Sequence, residues 1–381
     1  MKVALIEPVG GHGGMNYYDY GLAKGLVTAG CEVNWYTCNS TTELSGNSIY
    51  IYKFFLNIYS KKIPTPVRGL LYFFGLLLSL VHAKFCSCKL VHLHFFHYTK
   101  LEWLTVKLVR IFGFKYVVTV HDVQSFIGGD ENKYGEYILS NASSLIVHNN
   151  YSLDSLKEKA SSLSIHLPHV YVIPHGNYLS FVQKKDQQAS REKLGIPKNK
   201  KVLLFFGQIK KVKGLDLLLE ALTRIERDDF ILVVAGKVWK DDWEGYQEYI
   251  AKRGLSNKVI SHIRYIADDE VDDYFSSADC VILPYREIFQ SGVLLMAMSY
   301  FVVPVVSNIR GMTDIIEHEK NGFVFESESA HSLAETLDVV LGIDDLSRYQ
   351  GAISDDIQNK FDWNQIGLST VDVYKNIIKS D

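Results

Sequence analysis

Short apolar runs that end in glycine or a polar loop, each followed by a segment of helical spacing, recur along this chain and restart once past its middle. Val3–Glu7 leads into Gly10-Gly11-His12-Gly13-Gly14, and Tyr17–Ala29 follows as a helix that stops at Gly30. The same order returns at Val202–Phe206, the loop Gly207–Gly214, and the helix Leu215–Ile225. Runs apolar on both faces are strands of a parallel sheet covered by helices. The expected class is α/β, built from right-handed strand–helix–strand units. Further strands are expected at Glu32–Thr37, Leu90–Phe96, Tyr116–Val120, Ser144–Val147, Val170–Pro174, Phe230–Ala235, Lys258–Ile263, Cys280–Leu283 and Pro304–Ser307. Polar Gln183–Arg191 and the Gly195/Pro197 break before Lys198–Lys201 make the best linker. With 381 residues the chain is long for one core, so two domains are expected.

The stretch Val281–Ile315 carries the clearest chemistry. Val281–Leu283 and Val302–Val306 read as strands, with a helix over Gly292–Phe301 between them. Ser291-Gly292 then opens a helix just past a strand, where free amides and the helix dipole accept a phosphate. A capped crossover helix that binds nothing has the same pattern. Tyr285-Arg286-Glu287 stands just before it, with side chains able to hydrogen-bond what the phosphate carries. Lys210, Lys211 and Lys213 form a second anion site before a helix, or equally a solvated basic loop. Gly10–Gly14 is not spaced as a dinucleotide fingerprint, and no acid follows the next strand, so a nicotinamide enzyme is disfavoured. His121-Asp122 ends a parallel strand, where α/β ligands bind, and an imidazole there donates to a sugar hydroxyl or trades a proton. His92 and His94 share one strand face and His97 does not, so a common metal site is not implied.

Net charge of −3 gives no reason to expect nucleic acid. Five cysteines without paired CxxC sets fit reduced cytoplasmic thiols, and the N-terminus reads as a strand and glycine loop, not a signal peptide. Residues 61–89 stand apart. The apolar run Gly69–Val81 is short for a bilayer span, and Lys61, Lys62, Arg68, Lys84 and Lys89 flank it. Either it is a buried helix, or it lies peripherally in an anionic membrane interface.

Taken together, the glycine loop, His121-Asp122, IPHGN (Ile173–Asn177), FFGQIKKVKGLDLLLEA (Phe205–Ala221), VVAG (Val233–Gly236), ADCVILPYREIFQSGVLLMAMSYFVVPVVSNIRGMTDII (Ala278–Ile316) and FDWNQI (Phe361–Ile366) resemble the family 4 glycosyltransferases. That resemblance implies a GT-B fold: two facing Rossmann-like domains, 1–180 and 181–360, with a cleft between them and a C-terminal helix, 361–381, crossing back. It implies retaining transfer of a sugar from a nucleotide-diphosphate donor, without bound metal or other cofactor, to a glycan or lipid-linked acceptor in surface polysaccharide or glycolipid assembly. By this resemblance Lys213 neutralises the diphosphate, and Gln208 stands where most members have Arg. Ser291, Gly292 and Val293 receive the phosphate, Gly13 and Gly14 close on the donor, and His121 contacts the transferred sugar. The family's two glutamates, separated by seven residues, fall on Phe289 and Ala297, so this chain resembles a variant branch. Glu287 is the candidate replacement, with Gln290 beside it. Front-face attack, with the leaving phosphate as base, suits a site without a nucleophilic carboxylate. A sugar-nucleotide-binding or scaffold protein with impaired catalysis is the alternative. The expected location is cytoplasmic, at the inner membrane face.

Overall fold

A computed structural model describes residues 1–11, 15–41, 47–123 and 132–379. The chain divides into two compact units, Met1–Gly176 with Lys360–Asp381, and Asn177–Asn359.

The first unit holds seven strands: β1 (Lys2–Ile6), β2 (Glu32–Cys38), β3 (Ile49–Phe55), β4 (Leu90–Phe95), β5 (Lys115–Val120), β6 (Ser144–Val147) and β7 (Val170–Val172). Their order is β3-β2-β1-β4-β5-β6-β7, every pair parallel. The order reverses between β1 and β4. The Ile49–Phe55 strand was not expected, because it is an edge strand whose IYIYKFF pattern is only partly buried. Helices α1 (Met15–Thr28), α2 (Thr65–Phe85) and α3 (Lys100–Ile111) flank the sheet. The apolar helix is longer than its Gly69–Val81 run suggested. With 21 residues it is long and apolar enough to cross a membrane by length and composition. Its Tyr72, Leu76 and Leu80 are nevertheless buried within the unit.

The C-terminal helix Trp363–Lys379 belongs to this first unit, and glycines are the reason. A Cβ on Gly21 would strike the Trp363 ring, and one on Gly367 would strike the backbone of Gly25. Gly21 and Gly25 lie on one face of α1 and let the two helices approach at backbone distance. Lys115 Nζ also donates to the Ile377 carbonyl at 2.7 Å.

The second unit holds β8 (Lys201–Phe206), β9 (Phe230–Ala235), β10 (Val259–His262), β11 (Cys280–Leu283), β12 (Val303–Ser307) and β13 (Phe323–Phe325). Their order is β10-β9-β8-β11-β12-β13, again wholly parallel, with the reversal between β8 and β11. The helix expected over Gly292–Phe301 spans Gly292–Ser299, because Phe301 turns to φ +60° and ends it. The helix after the lysine loop stops at Leu222, short of Ile225.

Candidate active site

In the second unit the site candidates gather at the carboxyl ends of β8 and β11, where the strand order reverses and open parallel sheets bind ligands. Gly207, just past β8, has φ +102°, and a Cβ there would lie 3.3 Å from Lys213 Nζ and 3.4 Å from Val293 Cγ2. Its missing side chain therefore lets the Lys213 ammonium and the first turn of the Gly292 helix converge on one point. Lys213 ends a one-turn 3₁₀ segment, Lys211–Lys213, closed by Gly214 at φ +70°. A side chain on Gly214 would collide with the Pro284 carbonyl, so glycine seats the lysine turn against the loop after β11.

Lys213 Nζ lies 5.0 Å above the Tyr285 ring, and no carboxylate pairs with it among the described residues. A ring face steadies a cation without consuming its N–H donors. Ser291 is buried, and its Oγ accepts from Leu294 N at 3.2 Å as the helix cap. The backbone N–H groups of Gly292 and Val293 have no acceptor among the described residues. Two free amides, a helix dipole and a half-buried ammonium thus share one corner of one unit.

Other loop residues differ from expectation. Arg286 is committed to Asp216 through two bonds of 2.9 and 2.8 Å, and it also donates to the Lys211 carbonyl at 2.6 Å. It ties the lysine turn to its loop and is not held ready for a ligand. Tyr285 is buried, leaving Glu287 as the exposed member of that triplet, with Gln290 half-buried and Gln208 exposed. Phe289 and Ala297, where the family's glutamates fall, are both buried and apolar. Tyr178, which the sequence reading did not single out, has its hydroxyl 3.2 Å from where a Gly292 Cβ would stand. Burial pushes its phenol up to about 12. Its place directly after IPHGN was the one available signal.

In the first unit, Tyr18 of α1 is edge-on to four histidine rings, His94, His121, His148 and His175, with centroids 4.8–5.5 Å away. His148 Nδ1 is 3.0 Å from the Ile173 carbonyl, so it donates there and leaves its Nε2 as an acceptor. His121 Nδ1, at 3.3 Å, must then donate to His148 Nε2. That fixes the tautomer of His121, whose Nε2 keeps a lone pair with no partner among the described residues. Phe96 stacks on the same ring at 4.6 Å. Burial first, and the neighbouring imidazoles second, hold His121 well below the usual range, so it is neutral near pH 7. That lone pair, buried and unpartnered among the described residues, is an acceptor for a hydroxyl's hydrogen bond.

Beneath it lies a buried carboxyl pair that no sequence pattern announced. Glu7 accepts from the Val9 and Gly10 amides at 2.8 and 2.6 Å and so anchors the start of the glycine loop. Burial, and then Asp19, hold the Glu7 carboxyl well above its ordinary range; burial does the same to Asp19. Asp19 and His94 Nδ1 are 3.0 Å apart without the alignment of a hydrogen bond, and burial takes His94 down to about 3. They are best described as neutral neighbours, not an ion pair. His92 is held by Tyr374 at 2.6 Å and Thr119 at 2.7 Å. Among the described residues no three His, Cys, Asp or Glu side chains are grouped to hold a metal. Gly13 and Gly14 lie outside the described residues.

Two parallel-sheet units with a C-terminal helix folded onto the first define the GT-B class. Solved structures agree: sucrose-phosphate synthase of Thermosynechococcus elongatus superposes with a TM-score of 0.76 at 18% identity, covering 100% of both chains. Anabaena Alr3699/HepE, solved in complex with UDP, reaches 0.74 at 17% identity over 99% of this chain and 100% of its own. At such identities the likeness speaks for the fold. In sequence, the Glycosyltransferase Family 4 pattern matches residues 12–179 and the Glycosyl transferases group 1 pattern matches 186–353, together most of the chain. The protein belongs to the family 4 glycosyltransferases. Similar curated proteins include the D-inositol 3-phosphate glycosyltransferase of Corynebacterium jeikeium, 24% identical over 99% of this chain and 97% of its own. The glycosyltransferase MJ1607 of Methanocaldococcus jannaschii is 31% identical over 49% of this chain and 47% of its own.

Proposed function

We propose that the protein is a retaining, metal-independent transferase that moves a hexosyl group from a nucleotide-diphosphate sugar to a glycan or lipid-linked acceptor in cell-surface glycan assembly. The observation that carries the reading is the convergence of Lys213 Nζ and the Gly292 helix start across Gly207. A departing diphosphate needs its growing charge stabilised, and an ammonium with two fixed amides does so without a metal ion. The UDP complex of the HepE relative supports a nucleotide diphosphate as the leaving group. His121 Nε2 is assigned to a sugar hydroxyl, and Glu287 and Gln290 to the donor sugar in place of the family's glutamates. The leaving phosphate itself takes the acceptor's proton, which gives retention by front-face attack. Work at the inner membrane face follows from the cationic flanks of α2.

Thermal-shift titration with uridine, guanosine and adenosine diphosphate sugars tests this. Saturable stabilisation by at least one donor, with transfer to a lipid or glycan acceptor, is expected. Stabilisation by none would remove the transferase reading. Tight donor binding without turnover would favour the scaffold alternative, for which the buried Phe289 and Ala297 give grounds.

A further inference from the structure

The order of the first sheet reverses between β1 and β4, the switch point at which such sheets take ligands. A cavity of about 420 Å³ opens there. Pro8 and Val9 wall it past β1, Phe95 and Phe96 wall it at β4, and Arg68 and Tyr72 of α2 complete it. Its carboxylate, Glu102, is already committed to capping α3, accepting from Thr99 N at 2.9 Å. Arg68 enters no ion pair among the described residues. Its guanidinium donates to Thr65 Oγ1 at 2.9 Å, and its Nε is buried without an acceptor. A guanidinium N–H in that position is satisfied best by an anion.

From this cavity α2 runs outward along the surface. Val67, Leu70, Phe74, Leu78, Val81 and Phe85 are all exposed, Phe85 by 88%, and their spacing of three or four sets them in one stripe. The opposite face is packed: a Cβ on Gly75 would lie 2.7 Å from the Phe54 carbonyl of β3. A helix held against a sheet along one side cannot be threaded through a bilayer, but its free side can lie on one. Charge agrees. Between Glu43 and Glu102 the chain has no acid, while Lys61, Lys62 and Lys89 flank α2 and Lys84 stands in its last turn, in a protein of net charge −3. Cations concentrated around one apolar stripe suit an anionic surface.

We propose that this cavity is the headgroup pocket for a lipid-phosphate acceptor, taken directly from an anionic bilayer on which the α2 stripe rests. The proposal depends on the transferase reading above and narrows its acceptor to the lipid-linked class. Arg68 binds the phosphate, the aromatic walls receive the first carbons of the chain, and the α2 stripe continues the apolar path into the membrane.

The test uses the full chain with vesicles and soluble probes. Flotation is expected with phosphatidylcholine–phosphatidylglycerol vesicles and not with phosphatidylcholine alone, and Leu70→Ser/Leu78→Ser should reduce it roughly tenfold. Titration with farnesyl phosphate should show binding that farnesol and inorganic phosphate fail to match by roughly tenfold or more, and that Arg68→Gln weakens by a similar factor. Arg68→Gln should leave flotation intact, and melting curves confirm that each variant folds. Absence of flotation, equal binding to neutral vesicles, farnesol or inorganic phosphate binding as well as farnesyl phosphate, or full affinity in Arg68→Gln would each overturn the proposal. Nucleotide-sugar binding by the same samples separates the two levels. Its absence counts against the transferase reading, whereas retained donor binding with failed lipid binding counts against this pocket alone.

Discussion

Lys213→Ala removes the side-chain charge that meets the Gly292 helix start across Gly207. A full ammonium about 4 Å from a phosphate is worth about 4 kcal/mol at the effective dielectric of a protein surface. The side chain is half-buried, so water and the remaining amides recover part of that. The loss expected for one charge-assisted bond is then about 2–3 kcal/mol, or roughly 30- to 150-fold in affinity for a nucleoside diphosphate. Stability should scarcely change, because the native side chain makes no carboxylate pair and gives up only its 5.0 Å contact with the Tyr285 ring. Such a partly solvated contact is worth about 1 kcal/mol, a few degrees at most in a unit of this size. Calorimetric titration with a nucleoside diphosphate, beside a melting curve, checks both halves. An affinity within threefold of the native protein, with the fold intact, would show that the phosphate lies elsewhere.

Other expectations follow from the same geometry. Gly214→Ala forces a side chain into the left-handed region and onto the Pro284 carbonyl, so it should destabilise the second unit by at least 1–2 kcal/mol; an unchanged denaturant midpoint would contradict this. Trp363→Ala, emptying the space between Gly21 and Gly176, should cost about 3–5 kcal/mol, read in the same way. Acid should weaken the first unit. His94 and His175 at about 3 and His148 at about 4 stay unprotonated in the fold while the unfolded chain binds protons below about pH 6.5. The raised Glu7 and Asp19 work in the opposite sense, since their folded forms hold protons that the unfolded chain releases. With more histidines than carboxyls, stability should rise between about pH 4.5 and 6.5, by about 1.4 kcal/mol per pH unit for each net proton. A flat profile from chemical denaturation would refute that reading of the cluster.

The parallel strands and their glycine-ended loops were legible in sequence because strands buried on both faces are written as unbroken apolar runs. Ile49–Phe55 and Phe323–Phe325 escaped because one is an aromatic edge strand and the other only three residues long. The start of the Gly292 helix was readable from its Ser-Gly step. Its end was not, since nothing in a phenylalanine announces φ +60° at Phe301. Arg286 reads in sequence as available to a ligand, but Asp216, 70 residues earlier in the chain, holds it. Glu7 and Asp19 were invisible for a related reason. A carboxyl in a sequence reads as surface, and only the fold shows both of these buried, with Asp19 beside His94. Likewise, the exposed stripe of α2 emerges once β3 is known to cover its other side.

The most direct test of the diphosphate site is a crystal structure with a nucleotide sugar bound. The β-phosphate should lie within hydrogen-bond distance of the Gly292 and Val293 amides and of Lys213 Nζ. Phosphates found away from these three groups would contradict the assignment.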